Sequence, residues 1–262
     1  MVADKDTVKA FWDETPCGTR AVPESPATRE AFEAIERRRY ELEPFIPQFA
    51  RFHEWGGRRI LEVGCGIGTD LLQFARAGAR LHAVDLSPRS VELARRQLNL
   101  YGFEGDIQSS EAEHLPFADN QFDLVYSWGV IHHAPDPSRI VEEIYRVLRP
   151  GGRVCAMVYR KNSLVVLQAY VAYALLRLRP LKSLDDIIAH HVESPGTRAY
   201  TRRQVTEMFR DFRDVTIQPV LTPYDIGHAR VSLIPTWVMN LLPNWLGWFM
   251  VVRGLKPQQT SA

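Results

Sequence analysis

Apolar residues recur along this chain in two alternating rhythms. Short apolar runs at 60–63, 81–85, 122–129 and 153–159 are each bounded by glycine, proline or charge, the pattern of buried strands. Between them lie stretches whose apolar residues fall three and four apart. Leu71, Leu72, Phe74 and Ala75 predict a helix over 69–78 that stops at Gly78. Ser87 followed by Pro88 is a cap with proline in the first turn, opening a helix that runs to Gly102. A further helix over 137–148 is ended by Pro150-Gly151-Gly152. Strands and helices alternating in this order predict an α/β fold, a largely parallel sheet with helices on both faces.

Outside that rhythm the texture differs. Residues 1–57 are polar and charged and predict a helical cap, with two helical stretches separated by a proline-rich loop at 15–28. The second stretch, Arg29 to Trp55, is interrupted by Pro44 and Pro47, which remove backbone donors. Residues 58–262 predict the core, carrying a helical insertion at 160–200 and an apolar insertion at 221–245. Within the first, residues 163–178 are apolar on most faces and flanked by Arg160, Lys161, Arg177 and Arg179. The second lies near Trp237, Trp245 and Trp248. A helix over 201–212 precedes late strands at 214–220 and 246–256. Neither apolar run reaches the roughly 18–20 uninterrupted residues of a membrane span.

Composition narrows the function. Lys and Arg total 32 against 31 acids, a formal charge of +1, which argues against a nucleic-acid binder working by phosphate neutralisation. Cys17, Cys65 and Cys155 form neither a disulfide framework nor a CxxC pair, and the N-terminus mixes acids with bases instead of carrying a signal sequence; a cytoplasmic protein is expected. His190-His191 has no third ligand at metal spacing, so no metal is expected.

The chemical signal is Glu62-Val63-Gly64-Cys65-Gly66-Ile67-Gly68, directly after a strand and before a helix. Glycine at alternate positions lets the backbone turn sharply and approach a ligand with no Cβ in the way. Asp85, closing the next strand, can accept both hydroxyls of a ribose. Thr69 stands where a dinucleotide fingerprint wants its third glycine, and Glu62 disfavours a phosphate and favours an amine. A nicotinamide-dependent oxidoreductase is disfavoured on both counts.

ILEVGCGIGTD, AVDLSPRSVELAR, EAEHLPFADNQFDLVYSWGVIHHAPDP and IYRVLRPGGRV, collinear over about residues 58–160, resemble the successive motifs of the class I, Rossmann-like S-adenosylmethionine-dependent methyltransferases of the small-molecule branch. The resemblance implies a seven-stranded, mostly parallel sheet with an antiparallel last strand. It also implies S-adenosylmethionine as cofactor, with Gly64, Gly66 and Gly68 along its methionine and ribose part. Glu62 would then lie near the methionine amine, Asp85 at the ribose, Leu86 beside the adenine and Trp128 beside the methionyl chain. The family usually has Asp-Ala ahead of the LPF segment to meet the adenine; Glu111-Ala112 stands there, with Asp106 a rival acceptor.

Methyl transfer from a sulfonium is an in-line displacement that needs chiefly positioning, with a base only where the acceptor must lose a proton. His132, Tyr159 and Tyr40 are the candidates to contact or deprotonate an acceptor; of the His132-His133 pair one is expected to be structural. Phe11 and Trp12 are candidates for an aromatic lid, and Cys17 for a reactive thiol. The acceptor is expected to be a small molecule with an oxygen, nitrogen or sulfur nucleophile. Two alternatives stand beside it: a membrane-surface enzyme acting on a lipid or quinone, and a cofactor-binding regulatory protein without catalysis. A peripheral membrane contact and a homodimer, suggested by the tryptophan-rich end, remain open.

Overall fold

The computed structural model describes residues 5–19, 28–194, 196–226 and 241–258. Trp237, together with most of the apolar insertion expected at 221–245, lies outside them. Seven strands form one sheet: β1 (Arg59–Val63), β2 (Arg80–Asp85), β3 (Asp106–Ser109), β4 (Phe122–Trp128), β5 (Leu148–Tyr159), β6 (Arg213–Val220) and β7 (Phe249–Leu255). Their spatial order is β3-β2-β1-β4-β5-β7-β6, and β7 runs antiparallel to both neighbours. The order reverses between β1 and β4, the place where open sheets of this kind present a crevice. The central strands are apolar on both faces because helices cover both: β1 buries Ile60 to Val63, and β4 buries all but Asp123.

Local chemistry sets the helix ends. In α4 (Thr69–Arg76) Gly68 is the N-cap at φ 88°, and a Cβ there would sit 3.1 Å from that of Ala94 in α5 (Pro88–Leu100). Glycine is therefore required twice, for the left-handed turn and for helix approach. The Ser87 side chain caps α5 and Asp136 caps α6 (Pro137–Val147). In α9 (Arg202–Met208) Thr201 and Gln204 form a reciprocal capping box. Thr201→Ala should cost about 1 kcal/mol of stability, read as a lowered urea midpoint with an unchanged slope.

The cap consists of α1 (Lys5–Glu14), α2 (Arg29–Leu42) and the short α3 (Ile46–Ala50). Pro44 and Pro47 split the second stretch as expected: α2 ends at Leu42, and Pro47 sits in the first turn of α3. The insertion after β5 folds as α7 (Leu164–Tyr170), a π-helical turn over Val171–Leu175, and α8 (Leu184–His191). Both of its ends are tied to the carboxyl end of β5: the Tyr200 amide donates to the Tyr159 carbonyl at 2.8 Å and the Lys161 amide to the Tyr200 carbonyl at 2.9 Å. No helix among the described residues is long and apolar enough to cross a membrane.

Candidate active site

Gly64, Gly66 and Gly68 all adopt positive φ between β1 and α4. A Cβ on Gly64 would strike Val130 at 2.0 Å, so that position has to be glycine for packing alone. At Gly66 the nearest obstacle is 3.8 Å away, the Cβ of Cys17 in the turn that follows α1. The backbone of the loop is thus open at Gly66, and the cap arches over it.

Asp85 closes β2 beside this loop. Its Oδ2 accepts from the Gly66 amide at 2.8 Å and its Oδ1 from the Ser87 amide at 2.9 Å. Each carboxylate oxygen has more than one acceptor site, so the two backbone bonds orient the group and leave it able to accept a pair of hydroxyls. Burial pushes its carboxyl up to about 6, against the two amides, which favour the ion. Glu62 on β1 is buried, and its Oε2 has no hydrogen-bond partner. Burial, reinforced by the nearby Asp70 charge, drives its carboxyl well above the ordinary range. A buried carboxylate oxygen without a donor is costly, and a cationic amine would satisfy it.

The cap is locked to the core through Asp70, in the first turn of α4. Its carboxylate accepts from Arg39 at 3.0 and 2.6 Å, from the Tyr40 hydroxyl at 2.9 Å and from the Tyr126 hydroxyl at 2.8 Å. Tyr40, expected to close over the reacting methyl, has its hydroxyl committed to this anchor. Glu43, just after α2, accepts from the Trp128 indole at 2.8 Å, so Trp128 at the end of β4 is held against the cap, and Phe45 and Phe49 pack on its ring. Burial raises Glu43 from its ordinary 4.5 to about 7, against the Arg39 charge and the indole, which favour the ion. An acid raised on folding stabilises the fold fully below its unfolded value and loses that contribution as pH climbs through the folded one. Stability should therefore fall between about pH 5 and 7, and Glu43→Gln should flatten that fall in urea titrations.

At the adenine end of the expected site, Leu86 is half-buried after β2, and Ala112 packs on the core cluster around Leu115. Glu111 is exposed, and its Oε2 takes the Lys5 ammonium of α1 at 2.7 Å. Asp106, the less favoured acceptor, opens β3, pairing with His82, at the opposite end of the strand from Ser109 and Asp85.

Beyond β4 and β5 a second polar group assembles. The Tyr159 ring lies between His132 at 3.6 Å and Trp248 at 4.3 Å, stacked on both, and its hydroxyl donates to Glu193 Oε2 at 2.5 Å. Burial, then the Glu193 charge, hold the Tyr159 phenol well above its ordinary value. Glu193 follows α8 in the left-handed region at φ 66°, an uncommon conformation for a non-glycine residue. His133 turns Nε2 to Glu193 at 3.5 Å and Nδ1 to the Ser194 hydroxyl at 3.0 Å, while Trp12 packs edge-on against its ring. His132 is fully buried with neither ring nitrogen partnered, and burial lowers it well below 6.5, so it is a neutral, weak base.

Glu193 is the residue missed at the level of sequence; its only local signal is an acid in a turn-rich VESPG segment. His132, His133 and Glu193 bring metal-ligand atoms within 4.8 Å of one another, a grouping the expectation of no metal did not anticipate. Cys17 is solvent-accessible but crowded by protein, and burial pushes its thiol up to about 11. That is the reverse of what a nucleophilic cysteine needs.

Residues 61–156 match the family model described as a methyltransferase domain. The chain is 30% identical over 194 residues to methyltransferase GfsG of Streptomyces halstedii, a match covering 72% of this chain and 66% of that protein. It thus spans just under two thirds of that relative's length. It is 32% identical over 173 residues to a ubiquinone biosynthesis O-methyltransferase of Aeromonas salmonicida, covering 65% of this chain and 71% of the relative. Among solved structures, the [4+2]-cyclase SpnF superposes with a TM-score of 0.60 at 18% identity, over 98% of each chain, a likeness of fold.

Proposed function

The chain belongs to the class I S-adenosylmethionine-dependent methyltransferases, and from that premise we propose that it methylates a small-molecule hydroxyl acceptor by in-line displacement. The observation that carries this reading is the Tyr159–Glu193 hydrogen bond beyond β5, which pairs a pinned phenol with a carboxylate. S-adenosylmethionine, when bound, supplies a methyl group already activated on a sulfonium.

The residues fit that cofactor. Glu62, with an unpartnered buried oxygen, would take the methionine amine; Asp85, oriented by two amides, would take the ribose hydroxyls. Gly64, Gly66 and Gly68 would shape the loop beneath, open at Gly66. Trp128 would flank the methionyl chain. Leu86 and Ala112 would give the adenine apolar contact, with Glu111 exchanging Lys5 for the exocyclic amine.

On the acceptor side a base is needed, because a neutral alcohol or phenol must shed its proton as the carbon–oxygen bond forms. Tyr159 alone is too weak an acid to serve as a phenolate. In a relay it need never ionise: the acceptor proton passes to the Tyr159 oxygen while the Tyr159 proton passes to Glu193. The bound cofactor would supply the methyl group and keep the bonding electron pair on its sulfur. His132 then serves to stack on Tyr159, and His133 to hold Glu193. An amine with a free lone pair would need no such relay, which favours a hydroxyl over nitrogen.

A screen of phenols, alcohols, thiols and amines, read by methyl product and S-adenosylhomocysteine, tests the reading. Turnover confined to amines would sink it. A second reading, a lipid or quinone taken at a membrane surface, is favoured by the solvent-exposed leucines of the insertion.

A further inference from the structure

Among the described residues, the large apolar side chains that stand in solvent fall in two segments, 167–181 and 241–245. In the first, Leu167, Val171 and Leu175 lie at i, i+4 and i+8, a single stripe along α7 and the turn that continues it. The opposite face, with Val166, Ala169 and Ala174, is already buried in the protein, the last two packing with Ile187 of α8. The stripe therefore faces outward by construction.

The segment ends in a tip where leucines alternate with cations: Leu176, Arg177, Leu178, Arg179, then Leu181 and Lys182. Leu178 is 89% exposed and Leu181 98%. Leu178 also adopts φ 54°, so a leucine is held in an unfavourable backbone region in order to stand in water. The tip is nonetheless tied down. The Arg179 amide donates to the Ala174 carbonyl at 2.8 Å, and the Tyr170 hydroxyl to the Pro180 carbonyl at 2.7 Å. No acid occurs between Lys161 and Asp185, and neither Arg177 nor Arg179 has a carboxylate partner among the described residues. Beside the start of the insertion, Arg160 donates to the carbonyl of Trp245, a residue that is 60% exposed.

We propose that the face formed by 167–181 docks on an anionic bilayer, its leucines entering the acyl boundary while Arg177 and Arg179 meet the headgroups. A second copy of the chain is a poor occupant, because a two-fold interface would set Arg177 and Arg179 against their own copies, while the next acids in the sequence, Asp185 and Asp186, are already paired with Lys161 and Lys182. The insertion that carries this face also carries Glu193, so the docked edge and the proposed proton acceptor belong to one stretch of chain between β5 and α9. The inference deepens the reading of a lipid or quinone acceptor, but vesicle binding can be read without any acceptor.

The test is co-sedimentation of the full chain with phosphatidylcholine vesicles, with and without phosphatidylglycerol, at low and high salt. Wild type should pellet with the anionic vesicles and lose binding as salt rises. Leu178→Ser/Leu181→Ser should cut partitioning at least about tenfold at either salt. Arg177→Gln/Arg179→Gln should cut it about tenfold or more at low salt and little at high salt. All three proteins should melt alike and bind S-adenosylmethionine alike, which keeps the family reading separate. Wild type left in the supernatant with both vesicle types would overturn the proposal. So would a dimer in light scattering that the leucine double variant dissociates.

Discussion

Asp85→Ala should weaken S-adenosylmethionine binding at least about a hundredfold, measured by calorimetry. The carboxylate is placed to accept two hydroxyls, and charge-assisted hydrogen bonds contribute roughly 1.5–3 kcal/mol each, so losing both removes roughly 3–6 kcal/mol. The Gly66 and Ser87 amides, which now orient Asp85, would also lose their acceptor and loosen the loop. Asp85→Asn separates the two effects: it keeps the shape and one acceptor oxygen, and should fall between wild type and alanine. Burial lifts Asp85 to about 6, so the free protein protonates it just below neutral pH. Affinity should decline as pH drops through that value, and the alanine variant should lack the decline. Wild-type affinity in the alanine variant would remove Asp85 from the cofactor site.

The parts of this fold legible in the sequence are those fixed by local chemistry. The loop at 64–68 reads clearly because positive φ and close approach both demand glycine where the pattern has it. Ser87 with Pro88 marks the start of α5 for the same reason, a cap and a preset φ within two residues. β3 gives no such signal: DIQS is short, polar and on the sheet edge, and only pairing with β2 makes it a strand. Asp70 looks like an ordinary first-turn acid of α4, yet it collects Arg39 and Tyr40 from about thirty positions away. Glu193 lies deeper still. Its meeting with Tyr159 depends on an insertion whose two ends are both tied to β5, a fact of topology that no local pattern encodes.

The proposed cofactor half of the site is therefore carried by motif and the proposed acceptor half by tertiary contact. That division matters because the fold alone does not fix the reaction. SpnF shares the architecture at a TM-score of 0.60 and is described as a [4+2]-cyclase. Binding experiments on Asp85 can establish cofactor use, but they cannot distinguish methyl transfer from another reaction run on the same scaffold. The discriminating residue has to lie where a proton leaves the acceptor.

Glu193→Gln meets that requirement, and its expected effect is a loss of about 10²–10⁴ in the transfer rate to a hydroxyl acceptor, the range of a general-base contribution. Glutamine keeps the size of the side chain and can still accept the Tyr159 hydrogen bond, but it cannot take the proton that the relay delivers. Cofactor affinity should be unchanged, because Glu193 belongs to the insertion and not to the loop at 64–68. Tyr159→Phe should lower the rate similarly, and the double variant should be little worse than either single one, since two members of one relay act as a unit. An amine acceptor, which needs no proton removed, supplies the readout that a merely structural role would not move: any transfer to it should be the same in wild type and the glutamine variant. Single-turnover rates measured with a phenolic and an amine acceptor from the screen would decide it. If dialysis against a chelator abolished wild-type turnover and Zn²⁺ restored it, His132, His133 and Glu193 would be reassigned as metal ligands and the relay would fall.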